Sequence, residues 1–155
     1  MSFQDFTKQY SQVGVCKTVP SSWNSEIKHG VWKAPHHAGG PSEPLAHFNP
    51  TFELTNNDPT VWVQFEQPDQ RRTKGDWIMA TLRVVRPPKD GQHMDINDTV
   101  VCLMLSERQR TVELSLNPAE GPYLIVLTTW APGIEGEFYV TVHSPGSSSL
   151  LPPPS

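Results

Sequence analysis

Cysteine is scarce in this sequence, whose 155 residues include only Cys16 and Cys102. Two isolated cysteines do not provide the disulfide framework of a small secreted protein. The first residues contain neither a basic cluster nor an apolar run, so the sequence shows no signal peptide. Its apolar stretches are too short to cross a bilayer. These absences predict a soluble, intracellular, cytoplasmic protein with free thiols.

Positive charge is also in short supply. Twelve lysines and arginines stand against 16 aspartates and glutamates, which leaves a net charge of −4. A protein that binds nucleic acid needs a concentrated basic face to neutralise phosphates. The sequence therefore predicts no nucleic-acid partner.

The local patterns that present a catalytic group are missing. There is no Gly-x-Ser-x-Gly elbow and no glycine-rich phosphate loop, and neither cysteine has the context of an activated nucleophile. His36, His37 and His47 lack the spacing of a zinc site. We expect no enzymatic activity, no catalytic residue and no cofactor in this chain.

Strands dominate what is present. Val61–Glu66 alternates apolar and polar side chains, as does Val112–Leu116, and this period of two indicates a sheet with one buried face. The 16 prolines and 10 glycines separate such runs with turns. The predicted fold is an all-β, antiparallel β-sandwich of about eight strands.

Two runs in this pattern carry more specific expectations. Thr99–Leu105 is almost entirely apolar, which predicts a central strand covered on both faces, with Cys102 buried. Trp62 lies on the phase opposite the apolar face of its strand. If it is exposed, Trp62 would mark a contact with a neighbouring domain. We expect Trp23, Trp32 and Trp130 to be core or loop-anchoring residues.

Several segments, in the same order along the chain, resemble motifs of calpain-type cysteine proteases, in the β-sandwich domain that follows the protease core (domain III). They are Trp23-Asn24, Gly30-Val31-Trp32, Ala38-Gly39-Gly40, Phe48-Asn49-Pro50-Thr51-Phe52, Thr128-Thr129-Trp130-Ala131-Pro132 and Glu135-Gly136-Glu137-Phe138. Within them, the residues expected to have structural roles are Trp23, Gly30, Trp32, Ala38, Gly39, Gly40, Asn49, Pro50, Trp130, Pro132 and Gly136.

The resemblance divides the chain into three parts. Residues 1–20 resemble the end of the protease core plus a connector, and residues 21–144 resemble the domain III sandwich. Residues 145–155 are rich in proline and serine and are predicted to be a flexible tail or linker. The resemblance implies a fold like that of calcium- and lipid-binding sandwich domains, and a non-catalytic regulatory or scaffolding role. The domain would dock on the protease core of the same parent chain, whose own activity the sequence leaves undecided.

Calcium and lipid binding are the second reading that the family suggests. The acidic loop of conventional calpains corresponds here to Thr55–Thr60, which contains one carboxylate, whereas calcium takes six to eight oxygen ligands. Asp90, Asp95 and Asp98 are weak alternative candidates for a calcium site. The basic segment is reduced to Arg71, Arg72 and Lys74, worth at most about 3 kcal/mol at an anionic membrane. We therefore expect weak or no membrane binding.

A third reading is a protein-interaction domain in a relative that has lost protease activity. Arg71, Arg72, Lys74 and Trp62 are the residues predicted to contact another domain or a lipid. Because no strand presents an obligate hydrophobic interface, we expect a monomer.

Overall fold

A computed structural model describes residues 18–36, 38–40, 49–68, 77–86 and 96–152. In these residues the elements, in chain order, are β1 (Asn24–Trp32), β2 (Thr51–Asn56), β3 (Thr60–Glu66), β4 (Ala80–Val85), a 3₁₀ turn (Ile96–Asp98), β5 (Thr99–Leu105), β6 (Gln109–Ser115), a second 3₁₀ turn (Pro118–Glu120), β7 (Tyr123–Thr129), β8 (Gly136–Ser144) and β9 (Ser148–Leu151).

The strands form two antiparallel sheets. One has four strands in the order β1-β8-β3-β6, and the other has five in the order β5-β4-β7-β2-β9. Alternating side chains from the two sheets fill the space between them, because successive residues of a strand point to opposite faces. The largest fully buried side chains of this core are Trp32, Tyr123, Phe65 and Phe138. The predicted all-β antiparallel sandwich is confirmed, with nine strands in the described residues.

Strand β7 lies near the middle of the five-stranded sheet and is buried at all seven positions. Its inward side chains join the main core, while Leu124 and Val126 form a second buried apolar cluster with Val85 of β4. The run Tyr123–Thr129 is therefore the strand covered on both faces.

The prediction that Thr99–Leu105 is central was wrong. This run is β5, which lies at the edge of the five-stranded sheet and pairs with β4. Cys102 is exposed rather than buried, and Met104 is 59% exposed. A continuous apolar run does not distinguish a central strand from an edge strand, because periodicity alone cannot show which neighbours the strand has.

The segment predicted to be a flexible tail contains a strand. β9 pairs with β2 from Glu53↔Leu151 to Asn56↔Ser148, and Leu150 is fully buried in the main core. The Leu150 backbone N–H donates to the Glu26 carboxylate at 2.9 Å. The sandwich therefore continues beyond residue 144, and the flexible-tail prediction is wrong for Ser148–Leu151. Residues 153–155 lie outside the described residues.

Candidate functional site

Trp32, at the end of β1, connects the two sheets. Its side chain is fully buried, and its indole Nε1 donates to the backbone carbonyl of Leu127, in the other sheet, at 3.0 Å. The indole lies 4.4 Å from the Phe138 ring, measured between centroids. A buried indole that finds an acceptor gains apolar contact without leaving its N–H unpaired. Trp32 is therefore a core residue, as its position in the sequence suggested.

Two glycines leave room for this aromatic cluster. Gly30 is the β1 partner of Phe138, and a Cβ atom at Gly30 would overlap the Phe138 ring. A Cβ atom at Gly136 would overlap the Cδ1 atom of Ile78. Gly30 requires glycine because the Phe138 ring occupies the space of a β-carbon, whereas a β-carbon at Gly136 would displace only the end of the Ile78 side chain.

The loop Ala38–Gly40 packs against the loop Ala131–Gly133 at one end of the sandwich. The Gly133 N–H donates to the Ala38 carbonyl at 2.8 Å. Gly40 has a φ of +74°, and a Cβ atom there would lie 2.8 Å from the Pro132 nitrogen. Both the backbone conformation and this close approach therefore favour glycine at residue 40.

Asn49 and Pro50 join the same end of the sandwich to β2 and β7. The buried Asn49 donates through Nδ2 to the Gly40 carbonyl at 3.2 Å. The Pro50 carbonyl accepts from the Leu127 N–H at 3.0 Å. The motif residues of these loops thus hold one another in place, and these contacts give them a structural role.

Trp130 differs from the other motif residues because it is 61% exposed. It was expected to lie in the core or anchor a loop. Its backbone N–H donates to the Met79 carbonyl at 2.9 Å, and Met79 is itself 42% exposed. Thr129, immediately before it, donates through Oγ1 to the Ala131 carbonyl at 2.8 Å. Trp130 and Met79 are therefore two exposed apolar residues whose backbones are joined by a hydrogen bond, and we call them the Trp130–Met79 patch.

Trp62 is only 8% exposed, so the condition for a Trp62 domain contact is not met. The ring of Trp23, which precedes β1 in the chain, packs edge-on against it with centroids 5.0 Å apart. Alternation along β3 placed Trp62 on the outer face of its sheet. It could not show that a tryptophan from outside the strand lies over that face.

Ser25 and His143, opposite each other on β1 and β8, form a side-chain pair that the sequence did not indicate. The Ser25 Oγ lies 2.7 Å from His143 Nδ1. His143 is 9% exposed, and burial lowers its pKa. Its Nε2 atom has no hydrogen-bond partner, so the described residues do not complete a Ser-His-carboxylate arrangement. The pair holds β1 to β8 and has no catalytic geometry.

The turn between β2 and β3 lies within the segment Thr55–Thr60, which the resemblance implied to be the counterpart of an acidic loop. Its carboxylate, Asp58, accepts the Thr60 N–H through Oδ1 at 2.8 Å, and the Asp58 carbonyl accepts from Asn56 Nδ2 at 2.7 Å. The Asn57 N–H bonds to the Ser147 carbonyl at 3.1 Å, which joins this turn to the one before β9. Several polar groups of the turn are thus used for its own folding, although the buried Asn56 Oδ1 has no hydrogen-bond partner among the described residues.

Of the other predicted contact and metal residues, only Asp98 lies within the described residues. Asp98 ends the first 3₁₀ turn, and its carbonyl accepts the Arg86 N–H at 3.0 Å. Asp90, Asp95, Arg71, Arg72 and Lys74 lie outside the described residues. Within the described ranges, no three His, Cys, Asp or Glu side chains lie close enough to hold a metal ion. The same ranges contain no helix long and apolar enough to span a membrane.

Comparison with known proteins agrees with this fold. The family model described as calpain large subunit, domain III matches residues 28–143. The chain belongs to the calpain domain III family. It contains no protease core within the matched region, and it is a non-catalytic domain of a calpain-like protein. This confirms the resemblance read from the motifs.

The relatives are distant and much longer than this calpain domain III. The Gallus gallus calpain-1 catalytic subunit is 23% identical over 176 aligned residues, covering 92% of this chain and 25% of the relative. Calpain-8 of Rattus norvegicus is 27% identical, covering 97% of this chain and 27% of the relative. Calpain-8 of Mus musculus is 26% identical with the same coverages. The chain thus spans about a quarter of the length of these relatives.

Proposed function

We propose that this domain docks on the protease core of its calpain-like parent chain and sets the orientation of that core, supporting regulated intracellular proteolysis. The catalytic residues would lie in the parent, outside these 155 residues. Membership in the domain III family supports a scaffolding role.

The observation that carries the proposal is the exposed Trp130–Met79 patch. A tryptophan with 61% of its surface in water is costly to leave uncovered, and tryptophan is enriched among the residues that dominate binding energy. The backbone beneath the patch is held by the Trp130–Met79 hydrogen bond and by the packed loops at residues 38–40 and 131–133. A surface that is ordered before binding loses little entropy when its partner arrives.

The test measures binding in trans between this chain and the separately produced protease core of the same parent. Trp130→Ala should weaken binding by about tenfold or more, as expected for a buried aromatic anchor. Ile27→Ala is the matched control, because Ile27 on β1 is also 61% exposed. Equal binding by the two variants and the unmodified chain would refute docking through this patch.

A second measurement separates docking from its consequence. Trp130→Ala in the whole parent protein should change the rate of cleavage of a peptide substrate while the thermal stability of the domain stays unchanged. A parent that cleaves no substrate even without the substitution would instead support the protein-interaction reading of a protease-dead relative.

A further inference from the structure

The Trp130–Met79 patch continues onto the outer face of the five-stranded sheet. Alternate residues of β4 fill the core, so Met79, Thr81 and Arg83 lie on the opposite face. On the neighbouring strand β5, Met104 pairs with Thr81, and directly paired residues share a face. The Met104 side chain is 59% exposed. A surface strip therefore extends from the patch, past Met104, to Arg83.

Arg83 differs from the other arginines in the described part of the chain. Each of the other three is paired with a glutamate: Arg86 with Glu120 at 2.9 Å, Arg108 with Glu66 at 3.1 Å and Arg110 with Glu107 at 2.9 Å. No described residue accepts a hydrogen bond from the Arg83 guanidinium, and its Nε atom is buried without an acceptor. A buried donor without an acceptor costs free energy, so pairing with an added acceptor is favourable at this position.

The complement of this strip is an apolar group beside a carboxylate. A partner that covers Met79 and Met104 also removes water from Arg83, and a desolvated charge without a counter-charge opposes binding. The planar guanidinium matches a carboxylate, with which it forms two parallel hydrogen bonds. Arg83 therefore selects for a partner that presents an acidic side chain.

We propose that the protease core of the parent chain covers this strip and pairs one of its carboxylates with Arg83. The inference rests on the proposed docking through the Trp130–Met79 patch, and it adds the chemistry of the partner surface. Met79 and Arg83 are four residues apart on an extended strand, or about 14 Å at about 3.4 Å per residue. The core would present an apolar group and an acidic side chain at that separation.

An anionic bilayer is the other surface that accepts tryptophan, methionine and arginine together. One cation contributes little attraction to such a bilayer, and the whole chain has a net charge of −4. A protein carboxylate does not require a basic cluster, because a single guanidinium binds it directly. The protein partner is therefore favoured, and lipid vesicles become a comparison in the test.

The experiment measures binding of this chain to the protease core in trans, at about 50 and about 500 mM salt. Arg83→Met removes the charge but keeps an apolar stem, and it should weaken binding about tenfold or more at low salt. The loss should shrink at high salt, where the pair is screened. Arg86→Met is the matched control, because it removes the same charge from an arginine that already has Glu120 as its partner. This control should bind like the unmodified chain.

Stability is measured separately by thermal melting. Arg83→Met removes a buried donor that has no acceptor, so it should melt at or above the temperature of the unmodified chain. A loss of binding in this variant then reports the missing charge and not unfolding.

The whole parent protein gives a second readout at Cys102. Cys102 is exposed in this domain and lies directly opposite Arg83 on β5. Alkylation of Cys102, followed by mass spectrometry, should be slower in the whole parent than in this chain. Arg83→Met in the parent should make the alkylation faster.

The outcomes separate this inference from the docking proposal. Binding by Arg83→Met equal to that by Arg86→Met, while Trp130→Ala binds weakly, would overturn the Arg83 pairing and leave docking through the patch intact. Unchanged binding by all three variants would overturn both. Phosphatidylserine vesicles that bind the chain but not Arg83→Met, with core binding unaffected, would assign Arg83 to a bilayer and overturn the protein partner.

Discussion

Leu150 gives the sharpest test of where the sandwich ends. Leu150 and Leu151 are adjacent in β9, but Leu150 is fully buried in the core while Leu151 is 47% exposed. A buried Leu→Ala substitution removes apolar contacts and leaves a cavity, at a cost of about 2–5 kcal/mol. We therefore expect Leu150→Ala to lower the free energy of unfolding by that amount, and Leu151→Ala to change it by less than about 0.5 kcal/mol.

Urea denaturation followed by tryptophan fluorescence measures both variants under the same conditions. For a chain of this size each kcal/mol corresponds to about 2–4 °C in Tm, so Leu150→Ala should also melt about 4–20 °C lower. The slope of unfolding free energy against urea should stay the same if only stability has changed. Equal midpoints for the two variants would show that β9 does not pack on the core, and the reasoning that extends the sandwich to residue 151 would be refuted.

Three further predictions concern the loops, one histidine and calcium. Gly40→Ala should destabilise the chain more than Gly133→Ala, as measured by the two melting temperatures. Both residues have positive φ, but only at Gly40 would a Cβ atom meet the Pro132 backbone. Burial lowers the pKa of His143 in the folded chain, so the unfolded state binds more protons as the pH falls below about 6.5 and stability is lost there. His143→Gln should reduce that loss in urea titrations between about pH 7 and pH 5, with exposed His36→Gln as the control. Millimolar calcium should leave the NMR amide shifts of Asn56–Thr60 unchanged, because Asp58 is hydrogen-bonded within its turn; saturable shifts there would contradict this.

Much of the fold could be predicted because alternation has a direct physical cause. In β3, Val61, Val63 and Phe65 face the core, as the period of two requires. Edge position could not be predicted, because it depends on the pairing partners of β5 and not on its own composition. β9 was missed since four residues rich in serine, followed by prolines, resemble a linker until Leu150 is seen to fill the core.

The candidate site was less predictable than the fold, and the reason is visible in Trp62 and Trp130. Trp62 lies in a strand, and its sequence places it on the outer face without deciding its exposure, whereas Trp130, beside a strand, was expected in the core or as a loop anchor and is 61% exposed. Trp62 is covered by Trp23, a residue 39 positions earlier in the chain, while Trp130 follows β7 and emerges at the end of the sheet. Long-range packing decides the exposure of both side chains, and it cannot be predicted from the local sequence pattern.

Several motif residues are explained by the fold, and Trp130 is not. Gly30 must leave space for Phe138, Gly40 has positive φ against Pro132, and Trp32 joins the two sheets, so each is required whatever the domain does. Similarity carried by such residues predicts the sandwich and contains little information about partners. The Trp130 side chain has no comparable structural reason for its place, because most of its surface is in water. An exposed tryptophan on a rigid backbone is therefore where the function of this domain should be tested first.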